Sequence, residues 1–177
     1  YKRQVLASGE KVELGTIPQR KIAENGVTIQ GDSAGLVYHS PVLSTGQVFN
    51  ELIVPRGGEY RLCLSDGTVV YLNSESRLKY PASFAGERRE VELEGEAYFE
   101  VAKNPEKKFI VSTSHQSQIE VLGTHFNVEA YEKEDRIAAT LVEGKIGFIY
   151  SSDNGSKKVL MDPGQKLVYD TRDSKVQ

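Results

Sequence analysis

The feature that most restricts the fold is a period-two alternation in the segment from Arg89 to Val101, which reads REVELEGEAYFEV. From Val91 onward the odd positions are apolar or small, whereas glutamate occupies positions 90, 92, 94, 96 and 100. Side chains on a β-strand alternate between its two faces, so one long strand with odd residues inward accounts for the pattern. Gly95 falls on the inward parity, which indicates a bend or a close approach by another backbone.

The glutamates are therefore predicted to form one solvated face of a strand. Glycosidases use two carboxylates on opposite sides of a bond, and glutamates in a row do not form such a pair. Like charges along one face need opposite charges beside them. Basic residues close in sequence are expected to supply these charges: Arg88, Arg89, Lys103, Lys107 and Lys108.

Similar period-two segments recur along the chain, and no segment has a sustained helical periodicity. The predicted strands are Lys11–Leu14, Val27–Gln30, Gly35–His39, Val48–Val54, Tyr60–Leu64, Thr68–Leu72, Phe109–Thr113, Gln118–Leu122, Phe126–Tyr131, Ile137–Val142, Lys145–Tyr150, Lys158–Met161 and Gln165–Tyr169. Turn signals separate them at Asn25-Gly26, Ser65-Asp66-Gly67, Glu143-Gly144, Asp153-Asn154-Gly155 and Asp162-Pro163-Gly164. The run Ile137–Tyr150 is predicted to be a hairpin around Glu143-Gly144-Lys145. The fold class that follows is all-β, an antiparallel β-sandwich or roll of many short strands.

A faint internal repeat relates Leu6–Gly15, LASGEKVELG, to Leu64–Asn73, LSDGTVVYLN, without gaps. Each copy reads as a turn at Ser-Gly or Asp-Gly followed by a strand. Two copies would each contribute a hairpin to opposite halves of one fold, and chance similarity between two hairpins is the alternative.

The sequence does not mark sharp domain boundaries. Residues 1–47 are assigned to N-terminal strands of the same β-domain, and residues 48–170 to its core. Residues 171–177 are polar and charged and are expected to begin a linker to a further domain. The sequence begins at Tyr1 without an initiator methionine, so we expect it to be a segment of a longer protein.

Composition and charge exclude several classes of protein. The net charge of −3 gives no sign of the clustered basic face that binds nucleic acid. Cys63 is the only cysteine, so no internal disulfide can form. No apolar run approaches the roughly 20 residues that span a bilayer, and no signal-peptide pattern is present.

No group of residues points to catalysis. His39, His115 and His125 lack zinc-type spacing, and no histidine is placed by sequence to activate Cys63. The glycine-rich stretch Pro55–Glu59 precedes a strand and not the helix that a phosphate loop requires. We therefore expect a non-enzymatic module without metal or cofactor that recognises a partner by a sheet edge or face.

Five strings, in this order and spacing, resemble the FecR family of anti-sigma factors. They are LIVPRGGEYRLCLSDGTVVYLNSESRLKYPASF (Leu52–Phe84), REVELEGEAYFEVAK (Arg89–Lys103), VLGTHFNVEAY (Val121–Tyr131), TLVEGKIGF (Thr140–Phe148) and LMDPGQ (Leu160–Gln165). The resemblance runs from about Val48 to Tyr169. Each string alone is weak evidence, but the ordered set is specific to the family.

The resemblance implies a periplasmic domain of a single-pass inner-membrane protein that regulates an extracytoplasmic-function (ECF) sigma factor. Its implied partners are the N-terminal signalling domain of a TonB-dependent outer-membrane transporter and, through a cytoplasmic domain outside this chain, the sigma factor. The transporter domain would bind here or to a further C-terminal domain. As an isolated domain the chain is expected to be monomeric and not to bind nucleic acid.

The residues that carry the resemblance are expected to define the fold, and the partner-binding surface is left unassigned. Asp66 and Gly67 are expected at a turn, Asn73 at a strand end, and Gly123 at the break before Phe126, whose ring enters the core. The other structural motif residues are Gly95, Phe99, Asn127, Gly144 and Gly164.

Two alternatives remain open beside this reading. One is a carbohydrate-binding β-sandwich module, for which Tyr80, Tyr98, Tyr131 and Tyr150 are the candidate aromatic residues. The other is a structural domain that oligomerises through exposed strand edges.

Overall fold

The structure is a computed structural model that describes residues 3–5, 11–13, 20–24, 27–32, 35–39, 49–152 and 155–177. The predicted turn at Asn25-Gly26 and the first two residues of the predicted turn at 153–155 lie outside these ranges. Eighteen strands are described, with one 3₁₀ turn at Ser114–Gln116. Among the described residues, no helix has the length and apolar character needed to cross a membrane.

The strands are numbered in chain order. They are β1 (Arg3–Val5), β2 (Lys11–Glu13), β3 (Arg20–Glu24), β4 (Val27–Asp32), β5 (Gly35–His39), β6 (Phe49–Val54), β7 (Tyr60–Cys63), β8 (Val69–Leu72), β9 (Ser76–Pro81), β10 (Arg89–Glu100), β11 (Phe109–Ser112), β12 (Gln118–Val121), β13 (His125–Ala130), β14 (Arg136–Glu143), β15 (Ile146–Ser152), β16 (Gly155–Met161), β17 (Lys166–Asp170) and β18 (Lys175–Val176). The all-β class is confirmed.

Backbone pairing arranges the strands in two sheets that share one member. Sheet A has the order β2-β1-β6-β9-β10-β11-β12-β15-β16. Sheet B has the order β3-β4-β5-β7-β8-β10-β13-β14-β17-β18. Strand β10 belongs to both, so the two sheets are continuous through its backbone.

The long strand β10 changes sheets at Gly95. Its residues 89–94 pair with β11 and β9 in sheet A, and residues 95–100 pair with β13 and β8 in sheet B. Gly95 has φ +98°, and a Cβ added there would lie 2.5 Å from Ser76 Oγ and 2.7 Å from Ser76 Cα. A glycine therefore permits both the left-handed backbone and the close approach of β9 at this corner.

Alternation along β10 agrees with the sequence prediction. Every odd residue from 89 to 99 is buried, and the even residues are exposed or partly exposed. The inward side chains of both sheets form one hydrophobic core. At its centre the ring of Phe99 stacks on that of Phe126 at 5.1 Å and meets that of Phe109 edge-on at 6.2 Å.

The strands are mostly antiparallel, as predicted, but two of the described strand pairs are parallel. Strand β11 runs parallel to the first half of β10, and β7 runs parallel to β5. For β11 the reason lies in the corner at Gly95. The second half of β10 carries the chain into sheet B, and residues 101–108 bring it back to the start of β10, where it resumes the same direction.

The predicted hairpin over Ile137–Tyr150 is also wrong. Strand β14 pairs with β13 and β17 in sheet B, whereas β15 pairs with β12 and β16 in sheet A. The chain crosses between sheets at Gly144, which has φ +94° and where an added Cβ would lie 2.7 Å from Thr124 Oγ1. Thr124 Oγ1 donates a hydrogen bond to the carbonyl of Lys145 at 3.1 Å and fixes this crossing.

Some strands were not predicted. The prediction omitted β1, β3, β9 and β18, and it started β16 three residues too late. Strand β9 matters most because it lies between β6 and β10 in sheet A. Strand β18 falls within residues 171–177, where Val176 pairs with Tyr169 of β17.

The internal repeat coincides with two hairpins of the same register. In the first, Arg3 pairs with Glu13 and Val5 with Lys11. In the second, Arg61 pairs with Tyr71, and Cys63 with Val69. These pairs correspond one to one under the alignment of the two segments, and the hairpins lie in sheets A and B respectively. Residues 6–10 and 14–15 of the first copy lie outside the described residues.

Candidate interaction surface

The glutamates of β10 are divided between the outer faces of two sheets. Glu90, Glu92 and Glu94 lie on sheet A, whereas Glu96 and Glu100 lie on sheet B beyond the corner at Gly95. All five are exposed or partly exposed, so the predicted solvated face is confirmed. The two faces differ, however, in the groups that surround these carboxylates.

On sheet A the carboxylates pair with cations of β9. Lys79 Nζ lies 2.9 Å from Glu92 Oε1, and Arg77 pairs with Glu94 and, at 3.4 Å, with Glu51. These residues lie along an open cleft of about 570 Å³. Each pair is exposed and stabilises the fold by about 1 kcal/mol or less, so their main effect is to compensate the charges of Glu92 and Glu94.

Three of the basic residues expected to compensate for the glutamates have other partners. Lys107 Nζ donates to the carbonyl of Phe84 at 2.6 Å, and Lys108 Nζ lies 3.3 Å from Glu120. Arg89 is only 2% exposed and points into the molecule. The expectation failed because cross-strand register, and not closeness in sequence, decides which charges meet on a sheet.

Arg89 instead forms a buried polar centre with Asp66. Arg89 Nη1 donates to Asp66 Oδ2 and to the carbonyl of Ala102, both at 2.8 Å, and Nε donates to the carbonyl of Lys107 at 2.9 Å. The guanidinium lies 5.4 Å from the ring centre of Phe109. A buried charge requires such pairing, so this group ties the β7–β8 turn to the start of β10 and to the loop 101–108.

The turn at Asp66 is ordered by its own side chain. The backbone N–H of Thr68 donates to Asp66 Oδ1 at 3.0 Å, and the Thr68 hydroxyl donates to Oδ2 at 2.7 Å. Gly67 follows with φ +86°. The N–H of Ala102 donates to the Thr68 hydroxyl at 3.1 Å, which extends the network to the loop after β10.

The outer face of sheet B carries a row of side chains that are opposite one another on neighbouring strands. In order from β7 to β17 this cross-sheet row is Arg61, Tyr71, Tyr98, Asn127, Thr140 and Lys166. The rings of Tyr71 and Tyr98 lie 6.2 Å apart, and the guanidinium of Arg61 lies 5.9 Å from the centre of the Tyr71 ring. Tyrosine and arginine, with tryptophan, are enriched among the residues that contribute most to binding between proteins.

Glu96 lies next to the cross-sheet row and is held by two amides. Asn73 Nδ2 donates to Glu96 Oε2 at 2.7 Å, and Asn127 Nδ2 donates to Oε1 at 3.0 Å. Asn73 also accepts the N–H of Ser74 at 2.7 Å, at the end of β8. The motif residues Asn73 and Asn127, expected only to shape the fold, therefore also fix a carboxylate on an open surface.

These side chains border an open cleft of about 370 Å³ on sheet B. Its lining includes Tyr71, Tyr98, Glu96 and, at the rim, Glu59. Burial, followed by the nearby Glu100 carboxylate, raises the pKa of Tyr98, so its hydroxyl stays protonated at neutral pH. The cleft thus combines aromatic rings, amides and carboxylates, which are groups that can bind a partner molecule.

The remaining motif residues lie at bends and in the core. At Gly123 an added Cβ would lie 2.7 Å from Lys103 Cα, and Gly164 has φ +85° with no atom near the added Cβ. Phe99 and Phe126 are fully buried. None of these four lines the cleft on sheet B.

The structure does not support the other binding or catalytic candidates that the sequence analysis considered. Tyr80 and Tyr150, considered for carbohydrate binding, are buried in the core. Burial raises the pKa of the Cys63 thiol, which leaves it a weak nucleophile at neutral pH. Within the described ranges, no three or more His, Cys, Asp or Glu side chains are grouped so that they could hold a metal ion.

Arg61 and Tyr71 are the surface residues that the sequence analysis did not select. Their signal is parity, because each alternates with buried leucine or valine in the strings YRLC and VVYL. Parity alone places a side chain on an outer face. It does not reveal that the two residues are neighbours of Tyr98, which depends on strand order.

The comparisons with known proteins agree with this architecture. The family model described as FecR protein matches residues 50–147, more than half of the chain. Two crystal structures, each of a candidate anti-sigma factor from Parabacteroides distasonis ATCC 8503, are similar, with TM-scores of 0.68 and 0.67 and 31% sequence identity. They cover 73% and 72% of this chain, which spans 58% and 57% of theirs. No curated protein matches the sequence.

Proposed function

The chain belongs to the FecR family, and on that premise we propose that it is the sensing and transmitting domain of an anti-sigma regulator. The regulator as a whole spans the inner membrane once, and this domain lies in the periplasm. A cytoplasmic part outside this chain holds an ECF sigma factor. The arriving signal is the N-terminal signalling domain of a TonB-dependent outer-membrane transporter.

The observation that carries this proposal is the outer face of sheet B. Its rings and its Arg61 guanidinium lie on paired strands, with Glu96 fixed by two amides. Side chains that are already ordered lose less conformational entropy when a partner binds. A protein-binding module fits this surface, and regulation by binding is the activity of the family.

Transmission requires the partner to favour one of two states of the regulator, because a partner with equal affinity for both shifts nothing. The shared strand β10 offers a route, since the backbone that carries Glu96 and Tyr98 on sheet B continues into sheet A. A change of twist at Gly95 on binding would alter both sheets together.

The test is calorimetric titration of this chain with the signalling domain of the transporter encoded beside it. The signalling domain of an unrelated transporter is the matched control. Saturable heat with the first domain alone supports the proposal, and the same titration with a chain extended beyond Gln177 shows whether affinity rises. An absence of binding by both chains, together with sigma-dependent transcription that does not respond to the transporter, contradicts the proposal.

A further inference from the structure

We propose that the outer face of sheet B binds a basic segment of its partner, with a lysine or arginine of the partner on the ring of Tyr98 beside Glu100. The inference rests on the proposed function, since it names the chemistry of the partner that this domain recognises. It assigns a partner-binding surface, which the sequence analysis left unassigned.

The first argument is a difference in charge compensation between the two outer faces. On sheet A, Glu92 and Glu94 each have a cation of β9 beside them, and Glu90 at the start of the strand accepts a hydrogen bond from the Ser112 hydroxyl at 3.0 Å. On sheet B, Glu96 accepts hydrogen bonds only from neutral amides, which fix its position but leave its charge uncompensated. Among the described residues, the carboxylate of Glu100 makes no hydrogen bond or ion pair, and its attraction to Arg61 is the smallest of the effects that raise the pKa of that arginine. The two carboxylates lie on either side of Tyr98 on the same face of β10.

The second argument is the ring of Tyr98. Its neighbour Tyr71 already has a cation, the guanidinium of Arg61, 5.9 Å from its ring centre. Within the described part of the chain, no lysine or arginine lies over the ring of Tyr98. A cation above an aromatic face is attracted by the ring quadrupole, and carboxylates on both sides strengthen that attraction. The environment of Tyr98 therefore suits one further cation, supplied from outside.

The third argument is the overall balance of the surface. Carboxylates around the cleft and the cross-sheet row outnumber cations, because Glu59, Glu96 and Glu100 lie there with Arg61. Farther along, Lys166 is already paired with Glu129 at 3.4 Å. Two copies of this face would repel each other, so charge disfavours self-association through it and favours a basic partner.

The test uses a blocked octapeptide of alternating arginine and serine, with the octapeptide of alternating glutamate and serine as its control. Each is titrated into the isotopically labelled chain and followed by amide chemical shifts at about 50 mM salt, where electrostatic attraction is weakly screened. We expect shifts from the arginine peptide alone, concentrated at Tyr71, Tyr98, Glu100 and Asn127. Raising the salt to about 500 mM should weaken the binding.

Three variants locate the contact. Glu100→Gln and Tyr98→Leu should each weaken binding of the arginine peptide about threefold. Glu92→Gln is the matched control, because it removes a carboxylate from the same strand on the other outer face and should leave affinity unchanged. An amide spectrum like that of the wild type, apart from residues next to each substitution, shows that the three variants retain the fold.

Several outcomes overturn the inference. These are no shifts up to millimolar peptide, shifts centred on sheet A, equal binding of the glutamate peptide, or equal affinities of the Glu100→Gln and Glu92→Gln variants. Shifts on sheet B caused by a glycan and not by the arginine peptide also overturn it in favour of carbohydrate binding. The proposed function is tested separately, since the transporter domain can bind through another surface when this peptide does not.

Discussion

The guanidinium of Arg89 and the carboxylate of Asp66 form an ion pair at 2.8 Å in which the arginine is almost fully buried. Asp66 lies in the turn before β8, and Arg89, 23 residues later in the sequence, is the first residue of β10. Because Arg89 also donates to the carbonyls of Ala102 and Lys107, one side chain joins the start of β10 to the β7–β8 turn and to the loop 101–108. We expect this group to be the most sensitive polar site of the domain.

Replacing Arg89 by Met, or Asp66 by Asn, should lower the free energy of unfolding by about 3 kcal/mol or more, because the first leaves a largely buried carboxylate and the second a buried guanidinium without its counter-charge. Urea denaturation of the purified variants measures this. Lys79→Met is the control, since its pair with Glu92 is exposed and should cost about 1 kcal/mol or less. If the Arg89 or Asp66 substitution and Lys79→Met lowered the free energy of unfolding equally, burial of the Arg89–Asp66 pair would not increase its contribution to stability.

Gly95→Ala should destabilise the domain by about 2–4 kcal/mol, because alanine resists the positive φ and its Cβ meets the backbone of Ser76. Gly86→Ala is the matched control, with no atom within 4 Å of the added Cβ and no positive φ. Thermal unfolding compares the two. A Gly95→Ala protein as stable as the wild type would mean that the corner of β10 relaxes without cost.

The Glu120 carboxylate is expected to give the domain part of its dependence on pH. Hydrogen bonds from Lys158 at 2.6 Å and Lys108 at 3.3 Å outweigh desolvation and lower its pKa. A pKa that is lower in the folded than in the unfolded state stabilises the fold above the unfolded value, and this stabilisation is lost as pH falls through the folded value. The difference in free energy of unfolding between the wild type and Glu120→Gln should thus be constant near neutral pH and shrink in acid.

Urea denaturation at a series of pH values between about 7 and 3 measures that difference. Lys158→Met should reproduce the effect of Glu120→Gln more fully than Lys108→Met, because the hydrogen bond from Lys158 is the shorter. A difference that does not change across the acid range would contradict the lowered pKa of Glu120.

Cys63 should react slowly with thiol reagents in the folded domain. Burial raises the pKa of its thiol, with smaller effects from Arg61 and Asp66, so less of the reactive thiolate is present at pH 8 than in free cysteine. The rate of modification by a disulfide reagent checks this, and it should rise to that of free cysteine in denaturant. Equal rates in the folded and unfolded protein would show that the thiol is unprotected.

Local patterns were enough to predict β10, its buried odd residues and most strands of the core. Alternation is a property of a single strand and is visible in the sequence of that strand. Strand β9 was missed although Leu78 and Tyr80 alternate with Arg77 and Lys79, because Ser76 and Pro81 interrupt the apolar signal at its ends. Without β9 the sequence analysis could not identify Arg77 and Lys79 as the cations that pair with the glutamates of β10.

These local patterns could not predict which strands pair with each other or which distant residues come into contact. The run Ile137–Tyr150 has the composition of a hairpin, yet its two halves belong to different sheets. The inward parity of Arg89 was visible in the sequence and is the one sign of its burial. Its partner Asp66 reads as an ordinary turn residue, because the contact between them is made by the return of the chain through residues 101–108.

The double membership of β10 has a consequence for how the domain comes apart. Neither sheet can open along its centre without breaking a ladder of this strand, so the two sheets should melt as a single cooperative unit with superimposable transitions in every spectroscopic probe. The amides that β10 shares with β9 and β13 should be among the last to exchange with deuterated solvent, at a rate governed by global unfolding. A break in that one strand is then equivalent to losing the whole domain.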